Sequence, residues 1–230
     1  MPFQVAIDGP VAAGKSTVAR LTAAKLGFLY VDTGAMYRCA TLLAQRNGID
    51  LADEDAVVQA LLQTEIKLHK PTETEQDGRL VTVLLDGVDV SWDIRKEEVA
   101  KGVSIVSAHK KVREELVKRQ QQIAADADVV MEGRDISYRV LPNAQLKIYL
   151  DAASDVRSQR WHAAMIKKGS TLSLEEAAEQ LRQRDDLDMN RAVDPLKMVD
   201  DAWLLDTTLL TIDEVVDKIV FRVHELQKGA

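Results

Sequence analysis

The chain has 230 residues, of which 46% are hydrophobic and 29% charged, and its formal net charge is −7. This length and composition are typical of a globular protein with one substantial core. The negative charge disfavours a broad nucleic-acid or anionic-membrane surface, because both partners select an excess of Lys and Arg on one face. We therefore expect a small-molecule partner, with no nucleic acid and no membrane.

The N-terminal sequence and the cysteine content bear on the compartment. Cys39 is the single cysteine, which excludes an intrachain disulfide and favours a buried apolar role over that of a nucleophile. The opening sequence MPFQVAIDG lacks the basic stretch and long apolar run of a leader, and no apolar run approaches membrane-spanning length. We expect a soluble, cytoplasmic monomer.

Short apolar runs alternate with helical patterns along most of the chain. This alternation predicts an α/β fold in which a five-stranded parallel sheet is covered by helices. The first helix is expected to end at Gly27, and the last helix starts behind a capping box formed by Thr211 and Glu214. The five runs, each followed by a helical pattern, are residues 3–7, 28–31, 129–131, 146–150 and 203–205.

Residues 64–92 interrupt this alternation. Two stretches of alternating polarity, 79–85 and 88–92, flank Asp86 and Gly87. An Asp-Gly pair between alternating stretches strongly favours a tight antiparallel hairpin. We expect a small β insertion here.

Residues 154–192 are a second excursion, helical and unusually polar. A helical arm that emerges from the end of a sheet strand can close over phosphates as a lid. A solvated charged hairpin is the alternative interpretation. The basic residues of the segment are Arg157, Arg160, Lys167, Lys168, Arg182, Arg184 and Arg191.

Residues 9–16 read GPVAAGKS and match the P-loop pattern GxxxxGK[ST], between an apolar strand and an amphipathic helix. Its glycines let backbone N–H groups and the positive end of the helix point at a β-phosphate. Lys15 can reach the β- and γ-phosphates, and the Ser16 hydroxyl can bind Mg²⁺. The motif indicates a nucleoside triphosphate site but does not identify the acceptor. Its residues are Gly9, Pro10, Val11, Ala12, Ala13, Gly14, Lys15, Ser16 and Thr17.

Polar clusters follow the second and third strands of the predicted sheet. Because ligands collect beyond the carboxyl ends of parallel strands, both clusters are expected beside the P-loop. Glu132 could order Mg²⁺ or its waters, and Arg134 could clamp a transferring phosphate. The first cluster is Asp32, Thr33 and Arg38, and Arg38 is expected with Tyr37 in the first turn of the next helix. The second cluster is Glu132, Gly133, Arg134 and Asp135.

A helix expected to begin at Ser173 carries a third cluster. Arg184, Asp188 and Arg191 are spaced i, i+4 and i+7, which predicts that all three project from one face. Exposed helices commonly carry such charge pairs, so the spacing alone does not require a site. Two further candidates are Arg113, on a helix expected over residues 112–123, and Ser104, on the helix before it.

In this order the motifs resemble those of the bacterial cytidylate kinases. The match covers nearly the whole chain, and several motifs are specific to that family rather than to P-loop proteins generally. The matching segments are GPVAAGKST at 9–17, DTGAMYR at 32–38, VREELVKRQ at 112–120, EGRD at 132–135, RDDLDMNRAV at 184–193 and LDTTLLTIDEV at 205–215.

The resemblance implies a single P-loop kinase domain over residues 1–230 that transfers the γ-phosphate of ATP to CMP or dCMP, with Mg²⁺. It implies a monophosphate-binding region over 35–110, which includes the β insertion at 64–92. It also implies that residues 154–192 form a helical lid.

The resemblance further implies which residues recognise the acceptor nucleoside. Ser104, Arg113 and Asp135 match residues that read cytosine, whose edge presents an N4 donor beside N3 and O2 acceptors. Uracil reverses the donor pattern at N3 and position 4, which would leave buried polar groups unpaired. Asp188 and Arg184 match residues that contact the sugar.

A set of basic residues matches the family residues around the phosphates. No general base is required, because the acceptor phosphate oxygen is already a nucleophile near neutral pH. Catalysis is expected from alignment, charge neutralisation and water exclusion as the lid closes. The residues implied at the acceptor phosphate are Thr33, Arg38, Arg134 and Arg191, and those implied as catalytic are Lys15, Arg134, Arg157, Arg160 and Arg191.

The chain departs from the family pattern near the predicted site. Family members often read GRDIGT after the third strand, and they often carry further arginines in the lid. The expected consequence is less positive charge near the phosphates. The departures are Ser137, Tyr138 and Arg139 after Ile136, Trp161 in place of a common Arg, and Leu187 and Met189 in place of arginines.

Three other interpretations stay open. A related kinase could act on UMP or on an alcohol acceptor, and an alcohol would need a carboxylate such as Asp32 to take its proton. A nucleotide-dependent switch is disfavoured, since no NKxD guanine-reading sequence is present. An inactive kinase is disfavoured by the retention of Lys15, Arg38, Arg134, Asp188 and Arg191.

Overall fold

The computed structural model of the chain describes residues 2–79, 81–167 and 169–229. Leu80 of the predicted hairpin and Lys168 of the predicted lid lie outside the described residues. The strands found are β1 Gln4–Asp8, β2 Leu29–Asp32, β3 Ile66–His69, β4 Thr82–Leu85, β5 Val88–Asp89, β6 Val129–Glu132, β7 Leu146–Asp151 and β8 Trp203–Asp206. The helices found are α1 Lys15–Leu26, α2 Thr33–Arg46, α3 Glu54–Leu62, α4 Glu97–Ala108, α5 Lys110–Asp126, α6 Ser154–Lys167, α7 Leu174–Asn190 and α8 Ile212–Lys228.

Five strands form a parallel sheet in the order β2-β6-β1-β7-β8, with β1 at its centre. Val5, Ala6 and Ile7 of β1 are fully buried. A strand covered by helices on both faces meets apolar neighbours with every side chain, so it reads as a continuous apolar run. The predicted five-stranded parallel sheet is confirmed.

Each strand of this sheet ends one residue later than predicted, on a carboxylate. Backbone pairing continues through these residues, as where Asp8 pairs with Tyr149 and Asp32 with Glu132. Hydropathy marks where burial of apolar side chains stops, not where backbone pairing stops. The first two strands also begin one residue later. The carboxyl edge of the sheet therefore carries Asp8, Asp32, Glu132, Asp151 and Asp206.

Strand β6 is followed by a π-helical turn over Ile136–Val140, not by the helix that the apolar pattern predicted. The Asp8 carboxylate accepts the backbone N–H groups of Ile136 and Ser137, both at 2.8 Å. Leu141 N–H donates to the Ile136 carbonyl, five residues earlier, at 2.7 Å. Buried hydrogen bonds to the neighbouring strand end thus hold this backbone in a wide turn.

Helix boundaries marked by capping residues are confirmed. Helix α1 ends at Gly27, whose φ of 74° lies in the left-handed region that glycine adopts freely. Helix α8 begins behind a capping box formed by Thr211 and Glu214. Helix α5 is longer than the predicted 112–123, because its polar ends lack the apolar period that marked the prediction.

The antiparallel insertion is confirmed, with one strand more than predicted. Strands β3, β4 and β5 form a three-stranded sheet. Asp86 and Gly87 connect β4 to β5 with φ of 49° and 79°, as in a type I′ turn. Residues 154–192 contain α6 and α7, which we call the arm. Ser173 and Glu176 form a capping box at the start of α7.

Candidate active site

A groove of about 730 Å³ lies at the carboxyl ends of β1, β2 and β6. Ligands of parallel sheets collect at this edge. Of the residues predicted for the site, Gly9, Pro10 and Arg157 do not line the groove. The predicted residues that do line it are Val11, Ala12, Ala13, Gly14, Lys15, Ser16, Thr17, Thr33, Arg38, Ser104, Arg113, Glu132, Arg134, Asp135, Arg160, Arg184, Asp188 and Arg191.

The loop between β1 and α1 has a backbone that glycine makes possible. Gly9 has a φ of 150°, and a Cβ there would lie 2.0 Å from the carbonyl oxygen of Leu150. Gly14 precedes α1 with a φ of 96°. Residues 11–17 line the groove, so the positive N-terminal end of α1 faces it.

The Lys15 side chain is folded back against this loop. It is 5% exposed, and its ammonium donates to the Pro10 carbonyl at 2.7 Å. Burial, and next the nearby Arg134 guanidinium, lower the pKa of Lys15 to about 7. Anionic phosphate in the groove would stabilise the charged ammonium.

Ser16 and Glu132 meet beside the first turn of α1. Ser16 Oγ donates to Glu132 Oε1 at 2.7 Å, and Tyr30 Oη donates to the same oxygen at 3.3 Å. Burial, and next the nearby Asp32, raise the pKa of Glu132. A hydroxyl beside a carboxylate suits Mg²⁺, which takes a few protein oxygens together with phosphate and water. No group of three or more His, Cys, Asp or Glu side chains in the described chain could hold a metal ion.

The start of α2 brings Thr33 and Arg38 to the groove. Asp32 caps this helix by accepting a backbone N–H of its first turn at 3.0 Å. Thr33 Oγ1 donates to the Glu132 carbonyl at 2.8 Å, which joins α2 to the end of β6. Arg38, like Tyr37, lies in the second turn and not in the predicted first turn, because the helix already begins at Thr33.

Arginines of the groove differ in whether they have a carboxylate partner. Arg134 Nε donates to Asp188 Oδ2 at 2.7 Å, which joins the segment after β6 to the arm. Arg38 and Arg184 form no ion pair with any carboxylate of the described residues. Burial, and next Arg134, lower the pKa of Arg184. Guanidinium groups without a carboxylate favour an anionic ligand.

The prediction that Arg184, Asp188 and Arg191 share one helical face is wrong for Arg191. Helix α7 ends at Asn190, and Arg191 has an extended backbone with φ −62° and ψ 144°. The Asp194 carbonyl accepts its Nε–H at 2.6 Å. Arg191 still lines the groove, but it reaches the groove from the loop after the helix. No glycine marks this boundary in the sequence, so the predicted helix extends beyond the residue at which α7 ends.

Arg113 and Asp135 form a buried ion pair in the groove wall. Arg113 Nη2 donates to Asp135 Oδ2, and Nη1 donates to the Ser107 carbonyl at 3.2 Å. The guanidinium carbon lies 5.3 Å from the centroid of the Tyr37 ring. Burial raises the pKa of Asp135, and Arg113 opposes that rise. Ser104, on α4, is an exposed hydroxyl of the same groove.

The two predicted catalytic arginines of α6 have different surroundings. Arg157 Nη1 donates to Asp185 Oδ2 at 2.5 Å and to the Val11 carbonyl at 3.1 Å. Asp185 Oδ1 accepts the Val11 N–H at 3.2 Å, so both side chains brace the P-loop. Arg160 Nη1 donates to Thr207 Oγ1 at 3.0 Å and lines the groove.

The three residues of the arm that depart from the family pattern differ in whether they line the groove. Trp161 lines the groove, as do the apolar residues Met165 and Leu210. Leu187 and Met189 are 64% and 43% exposed and do not line the groove. Of these three departures, only Trp161 therefore changes the surface that a ligand would meet.

Sequence reasoning missed three carboxylates that organise the site. Asp8 ends an apolar run and Asp185 lies among other charged residues, so neither has a sequence signal of its own. Asp194 precedes Pro195, a pair that favours a turn, and this was the one signal that could have drawn attention to it.

The parallel sheet, the glycine-shaped loop with its buried lysine and the arginine-lined groove define a P-loop kinase. A family model described as cytidylate kinase matches residues 5–225, and the chain belongs to that family. It is therefore a nucleoside monophosphate kinase, a transferase.

Individual relatives agree with this assignment. The chain is 47% identical over 227 residues to the cytidylate kinase of Bacillus cytotoxicus, with 98% of each chain covered. It is 49% identical over 216 residues to that of Bacillus licheniformis, with 94% of this chain and 93% of the other covered. A solved uncharacterised protein from Eubacterium ventriosum shares the fold alone, with a TM-score of 0.50, 10% identity and coverage of 96% and 98%. No helix of the described chain is long and apolar enough to cross a membrane.

Proposed function

We propose that the groove aligns ATP and a cytidine monophosphate for direct phosphoryl transfer. As a cytidylate kinase, the chain transfers the γ-phosphate of ATP to CMP or dCMP and releases ADP with CDP or dCDP. The observation that carries the proposed substrate arrangement is the buried Arg113–Asp135 pair in the same groove as the P-loop. That pair offers a donor and an acceptor to a base held opposite the triphosphate.

On the donor side, the P-loop N–H groups and the end of α1 bind the β-phosphate, and Lys15 exchanges the Pro10 carbonyl for phosphate oxygens. Ser16 and Glu132 are the residues that would hold Mg²⁺ beside the phosphates. The metal neutralises phosphate charge when bound. Trp161 and Leu210, which both line the groove, offer apolar surface for the flat base of ATP.

On the acceptor side, Arg38, Arg134 and Arg191 hold the phosphate, with Thr33 beside them. The absence of a carboxylate partner for Arg38 among the described residues supports this role, because an incoming phosphate does not compete with protein there. Asp188 and Arg184 bind the sugar. Asp188 has a second carboxylate oxygen beyond the one that Arg134 occupies.

The base is recognised by Asp135, Arg113 and Ser104. Asp135 accepts from the N4 amino group, and the guanidinium and hydroxyl donate to the ring acceptors. Uracil would place a carbonyl oxygen against the Asp135 carboxylate, which leaves two acceptors facing each other. Such a mismatch in a buried site costs several kcal/mol, on the order of 10³-fold or more in rate.

Transfer itself needs no general base from the protein, because the acceptor phosphate is already anionic. The arm closes over the groove as a lid, so that Arg160 and, after leaving Asp185, Arg157 neutralise charge on the transferring group. Residues 35–110 act as the monophosphate-binding region of this single domain. We further propose that the enzyme acts as a monomer in the cytoplasm, where ATP and its acceptor are available.

The test is an ADP-release assay with Mg-ATP and a panel of CMP, dCMP, UMP, AMP, GMP and no acceptor. Selective turnover of CMP and dCMP is expected. Turnover of UMP alone would contradict the assignment of Asp135 and Arg113. Tight ATP binding without turnover of any monophosphate would favour a nucleotide switch or an alcohol acceptor, with Asp32 as its base.

A further inference from the structure

The loop that follows α7 contains a strained, mostly buried carboxylate. Asp194 has a φ of 47°, in the left-handed region that non-glycine residues rarely adopt, and it directly precedes Pro195. Its side chain is 16% exposed. Such a conformation costs on the order of 1 kcal/mol or more and persists only where the surroundings impose it.

Asp194 contacts two arginines of the groove through different groups. Its carboxylate Oδ2 accepts Arg113 Nε–H at 2.8 Å. Its carbonyl accepts Arg191 Nε–H at 2.6 Å. Asp135 contacts the same arginines from the other side, with Arg191 Nη2 at 3.4 Å from its Oδ1. The two aspartates therefore both contact the guanidinium groups of Arg113 and Arg191.

The departures after Ile136 hold this loop in place. Tyr138 Oη donates to the Pro195 carbonyl at 2.5 Å, and Arg139 Nε lies 3.5 Å from Asp194 Oδ2. Lys197 Nζ lies 4.4 Å from the centroid of the Tyr138 ring. The residues that break the family pattern thus fasten the loop that carries Asp194.

We propose that Asp194 is a positioning residue for cytosine specificity, which orients Arg113 through its carboxylate and Arg191 through its carbonyl. This inference rests on the proposed base site. Nε of Arg113 donates to Asp194, and its two terminal nitrogens donate to the Ser107 carbonyl and to Asp135. One N–H on each terminal nitrogen stays available for a base, and the contact of Nε with Asp194 adds a third fixed point that sets the direction of both.

Loss of the Asp194 carboxylate leaves the Arg113 guanidinium with two acceptors instead of three, so its plane can tilt. A tilted guanidinium can meet the carbonyl oxygens of either pyrimidine. The preference for CMP over UMP therefore falls, while the binding of UMP changes less. The triphosphate site does not depend on this cluster, because Lys15 and Arg157 have other partners.

The experiment compares Asp194→Gly and Asp194→Asn with Asp201→Asn, by kcat and KM for CMP and UMP and by KM for ATP. Glycine removes the carboxylate and adopts the left-handed backbone freely. Asparagine keeps an acceptor for Arg113 and tolerates this conformation. Asp201 forms an exposed ion pair with Lys147 outside the groove wall, so its amide controls for the loss of a charge. Tyr138→Phe loosens the loop without removing a buried charge.

In Asp194→Gly, KM for CMP rises about tenfold, the loss expected for one hydrogen bond to a charged group, and the preference for CMP over UMP narrows at least fivefold. Asp194→Asn recovers most of the preference, and Tyr138→Phe shifts it less in the same direction. KM for ATP stays within about twofold in all three. An equal loss toward CMP, UMP and ATP, or an unchanged preference, would overturn the proposal. The wild-type enzyme tests the proposed base site separately, since a wild type that does not prefer CMP refutes that site whatever the variants do.

Discussion

At the scale of single residues, several cations of the groove are held by acceptors of the protein itself. Lys15 donates to a carbonyl, Arg134 to Asp188, and Arg113 to Asp135. A charged group removed from water must be compensated, and a buried ion pair without further partners is rarely stabilising. Phosphate and ribose groups can replace these internal acceptors, so substrate binding exchanges partners rather than creating charge pairs from solvated ions.

Lys15 supports a prediction about protons. Burial lowers its pKa to about 7, so at pH 8 the Lys15 side chain of the unliganded protein is mostly a neutral amine. Bound phosphates raise that pKa again, and ATP binding at pH 8 therefore takes up close to one proton, whereas binding well below pH 7 takes up none from Lys15. Calorimetric titrations at pH 8 in two buffers of different ionisation enthalpy measure the uptake.

The exposed Lys25 provides the matched control. Its ammonium is paired with Asp217 at 2.6 Å and is half exposed. Lys25→Met leaves the uptake unchanged, whereas Lys15→Met abolishes it along with most of the affinity. Binding at pH 8 without proton uptake would show that Lys15 is already charged in the unliganded protein.

Asp188 supports a prediction about the acceptor. Asp188→Ala removes the proposed sugar contact and the partner of Arg134. A hydrogen bond to a charged group contributes about 1.5–3 kcal/mol, so KM for CMP rises tenfold or more. The Kd for ATP, measured by titration calorimetry, stays within about twofold. Asp186 is exposed and lies two residues before Asp188, on the other side of α7, so Asp186→Ala changes neither constant. Equal losses for CMP and ATP would remove Asp188 from this role.

At the scale of elements, the P-loop is held by one strand and two helices. The Leu150 carbonyl of β7 occupies the place where a side chain on Gly9 would lie. The carboxylate of Asp185 on α7 and the guanidinium of Arg157 on α6 clasp the backbone of Val11. Three separate elements therefore fix the position of a loop that the sequence motif alone describes only as glycine-rich.

Gly9→Ala is expected to lower the free energy of unfolding by about 3 kcal/mol or more. The added Cβ would lie 2.0 Å from a backbone oxygen, and the φ of 150° is one that alanine avoids. Urea denaturation measures the change. Gly48→Ala is the control, because Gly48 also has a positive φ, 65°, but meets open space, so only about 1 kcal/mol of backbone strain is expected. Equal costs for the two variants would show that the P-loop yields to the side chain.

Asp185→Asn tests the attachment of the arm to the P-loop. The Asp185 carboxylate is largely buried and accepts from both Arg157 and Val11. The amide weakens both contacts, so KM for ATP rises about five- to tenfold while KM for CMP changes by less than about twofold. Steady-state kinetics with either substrate varied measure the split. Asp186→Asn, the exposed neighbour, has no effect, and a larger change for CMP than for ATP would contradict this attachment.

At the scale of the whole molecule, an acidic chain encloses a basic groove. The net charge is −7, yet seven arginines and a lysine line one cavity of about 730 Å³. The positive groups come from the P-loop, from α2, α5, α6 and α7, and from loops beside them. Local convergence of charge, not the total, attracts the anionic nucleotides.

Closure of the arm should appear as protection from hydrogen exchange. With CMP and a non-hydrolysable ATP analogue together, amides of α6 and α7 are expected to exchange more slowly than with either ligand alone, because both ligands are proposed to contact the arm. Mass spectrometry of peptic peptides resolves these helices. Helix α3 lies outside the groove wall and serves as the internal control. Protection that is merely the sum of the two single-ligand effects would show that the arm binds ligands without closing as one unit.

Much of the fold was predictable because its signals are local. The strands of the sheet were visible as apolar runs, and α1 and α8 were bounded by Gly27 and by a capping box. Where signals were missing, the prediction failed. The end of α7 has no glycine, and the π-helical turn after β6 depends on backbone N–H groups that donate to Asp8, far away in the sequence.

The sequence by itself determined the class of the sheet, the phosphate-binding loop and most residue types of the groove, because each depends on periodicity or on a short motif. Only the tertiary structure decided which carboxylate meets which cation. Arg157 and Asp185 are 28 residues apart in the chain, and Arg113 is 22 from Asp135 and 81 from Asp194. No local pattern relates such positions, since their contact depends on how the sheet and helices bring distant segments to one edge.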